Sequence, residues 1–150
     1  MSENSSSSRC IEGVLNLCVC VPSNGFWHSD FGRNLVVAAA NFMNWTPPKE
    51  MGFRGKIFQI LTADSSMLVR NRHDLVKSAM KAGASHIMFL DDDMKFPSGL
   101  FERWIMADKP IIAANATHRR VPISPIAIDF AGEVIDSSKR DGFEPVRQVG

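Results

Sequence analysis

The chain has 150 residues, 45% hydrophobic and 22% charged, an ordinary composition for one soluble globular domain with a substantial core. Its 17 Lys and Arg residues stand against 16 Asp and Glu residues, a formal net charge of +1, so the totals make no electrostatic case for nucleic acid or a charged membrane surface. The longest apolar runs, around Val14–Val21 and Leu35–Ala40, fall short of the roughly 20 residues that a membrane-spanning helix requires.

Residues 1–12 open on Met1-Ser2-Glu3-Asn4 and a run of serines, with neither the basic start nor the apolar centre of a signal peptide. They read as a disordered tail before a single domain over residues 13–150, in a cytoplasmic protein without a transmembrane segment. Cys10, Cys18 and Cys20 are odd in number and poorly spaced for a thiolate metal site. They read as small buried residues of a reducing compartment, with Cys18 and Cys20 on one face of a strand.

Val14–Val21 is rich in β-formers and stops at Pro22-Ser23-Asn24-Gly25, which predicts a first strand and a turn. A helix follows from about Asp30, with Leu35, Val36, Ala39, Phe42 and Met43 as its buried stripe, Ser29 or Asp30 as its cap, and Pro47-Pro48 as its end. Lys56–Leu61 predicts the second strand. The serines after Asp64 can cap a second helix, buried through Leu68, Leu75, Val76, Ala79 and Met80 and closed by Gly83.

His86-Ile87-Met88-Phe89-Leu90 then runs directly into Asp91-Asp92-Asp93. The apolar run predicts a central parallel strand buried on both faces. Strand alternation would point Asp91 and Asp93 to one side and Asp92 to the other. Three carboxylates so close repel one another unless a cation neutralises them, which makes the segment a candidate divalent-metal site. Phe96-Pro97-Ser98 starts a helix over Leu100, Trp104, Ile105 and Ala107 with Ser98 as its cap. Pro110–Ala114 predicts a fourth strand, and Ile126–Phe130 with Glu133–Ile135 predicts a β-hairpin. The whole order predicts an α/β fold: a Rossmann-like, mostly parallel sheet flanked by helices, with a C-terminal β-hairpin.

Ligands of such sheets sit outside the carboxyl ends of the strands. That rim is expected to gather Pro22-Ser23-Asn24, Ala63-Asp64-Ser65, Asp91-Asp92-Asp93 and Asn115-Ala116-Thr117-His118. Carboxylate oxygens suit Mg²⁺ or Mn²⁺, and His118, if a ligand, favours Mn²⁺. A histidine beside Arg119 and Arg120 also fits a solvent-exposed loop, and Arg70 can instead pair with Asp74 four residues on. His28, His73 and His86 read as structural or surface residues, and Trp27, Trp45 and Trp104 as packing.

Val69-Arg70-Asn71-Arg72, followed by Ala79 and then Ala84-Ser85-His86-Ile87-Met88-Phe89-Leu90-Asp91-Asp92-Asp93, resembles the GT-A fold, family-2-like glycosyltransferases. Met94-Lys95-Phe96-Pro97, the next helix and Ala107-Asp108-Lys109-Pro110-Ile111-Ile112 extend the resemblance, which covers about residues 14–120. It implies that Asp91 and Asp93 hold the metal and diphosphate, with Asp92 near the ribose or supporting the loop. Pro22 and Ser23 would contact the nucleotide, Asp64 would recognise its base, and Arg70 and Asn71 would lie near the nucleotide or its phosphates. Val69 departs from the family's usual small residue. The family's catalytic base normally lies well beyond the metal motif, and nothing in the spacing of Asp129, Glu133, Asp136, Asp141 or Glu144 selects one.

The resemblance thus implies metal-dependent transfer of a sugar from a nucleotide-diphosphate donor, foremost a UDP-sugar, to an acceptor hydroxyl. The chain ends at Gly150, where an acceptor-binding half would begin. A non-catalytic nucleotide-sugar binding module, or a chain working with a partner subunit or as an oligomer, is the other reading.

Overall fold

A computed structural model describes residues 12–64, 67–114 and 131. The chain divides into two compact units, Met1–Glu102 and Arg103–Gly150. The first unit contains β1 (Val14–Ser23), α1 (Ser29–Asn44), β2 (Gly55–Asp64), α2 (Leu68–Lys81) and β3 (His86–Phe89), with a 3-10 turn at Lys49–Met51. Helix α3 (Leu100–Met106) begins in the first unit and ends in the second.

Among the described residues the sheet has three parallel strands in the order β2-β1-β3. Every residue from Leu15 to Ser23 is buried, and that unbroken burial is what a central parallel strand requires. Among the described strands, then, β1 and not the acidic strand lies at the centre. β3 pairs with β1 alone among the described strands, and of its four residues only Met88 is buried. A short apolar run looks alike in a central and in a peripheral strand, because burial depends on what covers it.

The two long helices lie on opposite faces of the sheet, as the pleat shows. On β2, Phe58 stacks against Phe42 of α1 at 5.7 Å between centroids. The odd-numbered Leu61 and Ala63 instead pack with Leu75 and Ala79 of α2. Alternate residues face opposite sides of a strand, so α1 and α2 cover different sides. The α1 side is largely aromatic, with Phe42 and Phe58 meeting Phe101, and Phe31 meeting Phe96. On the α2 side Cys18 and Cys20 are buried together against Leu75 and Ala79, sharing one face as expected.

Helix α1 buries Leu35 and Phe42 as anticipated, but the rest of its inward stripe is shifted. Phe31, Leu35, Ala38 and Phe42 are buried, while Val36 is 70% exposed and Met43 51% exposed. Both apolar sets recur at helical spacing, and the larger aromatic pair wins the core. Neither Ser29 nor Asp30 caps the helix. The cap position is His28, which makes no side-chain capping bond, and the Asp30 carboxylate binds Arg33 and Lys95 instead. The helix ends before Pro47-Pro48 as predicted, and Lys56 of β2 donates to the carbonyl oxygens of Phe42, Met43 and Trp45. An ammonium there satisfies orphan carbonyls and opposes the helix dipole.

In α2 the buried stripe is Asn71, Leu75 and Ala79. Leu68 and Met80, expected inside, are 50% and 65% exposed. Gly83 closes the helix with φ of 71°, a left-handed conformation that glycine adopts without strain. Met67 precedes the helix without a side-chain cap, and Ser65 and Ser66 lie outside the described residues.

Helix α3 starts at Leu100, after a turn closed by the Leu100 amide on the Pro97 carbonyl at 3.2 Å, so Ser98 lies two residues upstream rather than at its cap. In the second unit it is followed by Ala107 and Asp108, whose amides donate to the carbonyls of Arg103 and Ile105; Asp108 has φ of 46°. Pro110–Ala114 is not a strand: it has no ladder, and Ile111 is 90% exposed. β-propensity without a pairing partner does not make a strand. The expected hairpin over residues 126–135 falls outside the described residues except for Ala131. Among the described residues no helix is long and apolar enough to cross a membrane.

Candidate functional site

The parallel register brings the carboxyl ends of the strands to one rim. β1 and β2 finish together, with Ser23 opposite Asp64. β3 is shorter: Phe89 lies opposite Cys20, and the Leu90 amide donates to the Cys20 carbonyl at 3.1 Å. Asp91 is therefore the first residue free of the ladder, beside the last residues of β1. Pro22, Ser23, Asp64 and Asp91 share this rim, as the sequence suggests for an open α/β sheet.

The three acids do not continue the strand. The Met94 amide donates to the Asp91 carbonyl at 3.1 Å, closing a turn over Asp91–Met94. Strand alternation thus does not set where Asp91, Asp92 and Asp93 point; the turn does. Asp91 is exposed, while Asp92 and Asp93 are half-buried. Two contacts tie this turn to the start of α1. The His28 amide donates to the Asp92 carbonyl at 3.2 Å, and the Lys95 ammonium meets Asp30 at 2.7 Å. The Lys95 hydrogen bond, with the charges of Lys95 and Arg33, holds the Asp30 carboxyl below its ordinary value.

Helix α2 supplies the other wall. Asn71, only 3% exposed, donates its amide to the Ser23 carbonyl at 3.4 Å. The next residue, Arg72, binds the Asp91 carboxylate at 3.2 Å, and its guanidinium lies 5.8 Å from the centre of the Phe89 ring. Arg70 takes the plainer of its two readings, pairing with Asp74 at 3.8 Å on its own helix, with both side chains exposed. The Arg70-Asn71 pair is thus split, and Arg72, which the sequence did not single out, reaches the acids. Two arginines two residues apart look equivalent until the rotation of the helix is known.

The first loop is built by Ser23. Its buried hydroxyl accepts from the Gly25 amide at 3.1 Å and donates to the Phe26 carbonyl at 3.4 Å. This local bonding holds the turn after β1, with Pro22 buried before it. Trp27 packs edge-on against Phe31 at 5.4 Å, a packing role like that expected from sequence. His118 and the segment Asn115–His118 lie outside the described residues.

Among the described residues no group of three or more His, Cys, Asp or Glu side chains converges as a metal site. The donors on the acid turn are consecutive carboxylates. These hard oxygen donors fit Mg²⁺ or Mn²⁺ completed by phosphate and water, and they do not suit a soft metal. The two described thiols, Cys18 and Cys20, supply no alternative. Burial, and then the neighbouring Cys18, push Cys20 up to about 11, and burial raises Cys18. Both stay protonated near neutrality and are poor ligands and nucleophiles.

Comparison with known family models, with curated proteins and with solved structures finds no match. The candidate site stands on its own geometry.

Proposed function

We propose that this chain binds a nucleotide-diphosphate sugar with Mn²⁺ or Mg²⁺ and is a GT-A-like glycosyltransferase that passes the sugar to an acceptor hydroxyl. The observation that carries this reading is the meeting, at one rim, of the acid turn, the end of β1 and the first turns of α2. Asp91 and Asp93 hold the cation, and Asp92 lies toward the ribose. Pro22 and Ser23 shape the loop against the nucleotide, and Asp64 beside Ser23 reads the base. A cation bound there neutralises the charge that builds on the departing nucleoside diphosphate. Asn71 acts through position: its buried amide keeps the end of β1 in register with α2, and with it the loop that Ser23 folds. We assign no catalytic base. Two free, buried thiols support a reducing, cytoplasmic setting.

Calorimetric titration with UDP and Mn²⁺ tests the site. Asp91→Ala and Asp93→Ala are expected to abolish the metal-dependent component of binding, and unchanged affinity in both variants rejects the assignment. Turnover on a panel of nucleotide sugars then separates the enzyme from a binding module. Tight, metal-dependent binding with no hydrolysis or transfer of any donor favours the module, which needs no acceptor site.

A further inference from the structure

Asn24 is the one asparagine in the chain that a glycine follows. Among the described asparagines it is also the one outside a regular element: Asn16 lies in β1, Asn34, Asn41 and Asn44 in α1, and Asn71 in α2. A helix or strand holds the backbone away from the shapes in which a side-chain amide meets the nitrogen of the next residue. The turn after β1 has no such ladder. Asn24, Gly25 and Phe26 are all exposed, Phe26 at 83%, so water reaches the turn. Gly25 has φ of 105°, and apart from its chain neighbours no heavy atom lies within 4 Å of where a side chain would begin. The nitrogen after Asn24 is thus unshielded by any Cβ.

One contact restrains that nitrogen. The Gly25 amide donates to the Ser23 hydroxyl oxygen at 3.1 Å, and the buried hydroxyl donates in turn to the Phe26 carbonyl at 3.4 Å. An amide must give up its proton to attack a carbonyl, so a hydrogen bond that holds the amide in place slows the attack.

We infer that Asn24 is a self-modification site, deamidated spontaneously at a rate set by the Ser23 hydroxyl. The Gly25 nitrogen loses its proton and bonds to the side-chain carbonyl carbon of Asn24, while the bond from that carbon to the amide nitrogen breaks and ammonia leaves. A succinimide ring results. Water then opens the ring at either carbonyl, giving aspartate or isoaspartate without any oxidant or reductant. Adjacency in the chain favours the first step, since both reacting groups are already together. The product places a new carboxylate beside Ser23, which lies opposite Asp64 at the rim. Isoaspartate also routes the main chain through the former side chain, which changes the spacing between Ser23 and the Gly25 amide. The reaction needs neither metal nor nucleotide and stands apart from the function proposed above.

Timed incubation of the whole chain in mildly alkaline buffer, followed by peptide mapping with isoaspartate detection, tests this. The native chain is expected to convert at Asn24 ahead of every other described asparagine. Asn24→Gln should abolish the signal there, because glutamine has to close a larger ring. Ser23→Ala should react about two- to tenfold faster than the parent, the factor that one ordinary hydrogen bond supplies. Ser23→Thr, which keeps the hydroxyl, should react at the parent rate. Labelling of the buried Cys18 and Cys20 in the same samples reports whether each variant is folded. Faster conversion of Ser23→Ala with both thiols still protected supports the role of Ser23. A parent-like rate in Ser23→Ala, an equal acceleration in Ser23→Thr, or acceleration only with the thiols exposed overturns that role. An Asn24 that stays intact in the native chain while the urea-unfolded chain converts overturns the site itself.

Discussion

The side-chain amide of Asn71 binds the carbonyl of Ser23 from 48 positions away in sequence, and it does so while almost wholly buried. This one contact locks the start of α2 to the end of the central strand. The residue after it, Arg72, is thereby delivered to Asp91 at the end of β3. The strand ends at the rim are organised by a helix, not only by the sheet's own ladder.

Removal of that amide leaves a buried carbonyl with one partner fewer. Asn71→Ala is expected to lower stability by about 1–3 kcal/mol, the usual range for stranding a buried polar group. Asn71→Asp should cost more, since it buries a charge beside a carbonyl oxygen that repels it. The urea midpoint of each variant measures this. A midpoint equal to that of the parent in both would mean the contact contributes nothing to the fold.

The Asp30–Lys95 pair predicts a pH dependence with a definite sign. The folded carboxyl lies below its ordinary value of 3.8, mainly through the Lys95 hydrogen bond. Its contribution is therefore present above that value and is lost as pH falls through the lower, folded pKa. The difference in urea midpoint between the parent chain and Asp30→Asn should hold steady near neutrality and shrink on acidification. The pair also steadies the acid turn, so the His28 amide, which donates to Asp92, should exchange faster in Asp30→Asn. A midpoint difference that grows in acid contradicts the linkage.

Cys20 gives the opposite sign at the alkaline end. Its ordinary value of 9.0 is raised by burial to about 11. The thiol's share of stability is complete below pH 9.0 and declines as pH rises toward about 11, because the unfolded chain ionises first. Cys18 and Cys20 of the native protein should react with a disulfide-exchange reagent only at the rate of opening, and quickly in urea. Cys20→Ala should show a flatter alkaline decline. Fast labelling of both cysteines in the folded chain would contradict their burial.

Much of this arrangement was visible in the chain itself. The unbroken run from Val14 to Val21 marks a buried strand, Pro47-Pro48 and Gly83 mark helix ends, and the alternation of β-rich and helical periods marks a parallel α/β sheet. These signals are local, arising from the missing proline N–H, the tolerance of glycine for positive φ and the periodicity of side chains. The site was visible in part. That Ser23, Asp64 and Asp91 share a rim follows from strand direction alone, since all strands of a parallel sheet end on the same side.

Whatever depended on a choice between equivalent surfaces was left to the tertiary structure. Helix α1 carries two apolar stripes, and only the aromatic contacts of Phe42 and Phe58 decide that Phe31 and Ala38 go inside while Val36 and Met43 stay out. His86–Phe89 and Val14–Ser23 both look fit for the centre of a sheet, and only the pairing decides that β1 takes it. Arg70 and Arg72 carry the same charge two positions apart, and the rotation of α2 fixed by Asn71 decides which one meets Asp91. The sequence by itself determined the order of the elements from β1 to β3 and the ends set by Pro47-Pro48 and Gly83, because those depend on local bonding and periodicity. Which face is buried, which described strand is central and which cation meets the acids were decided by tertiary packing, because each depends on a partner on another element.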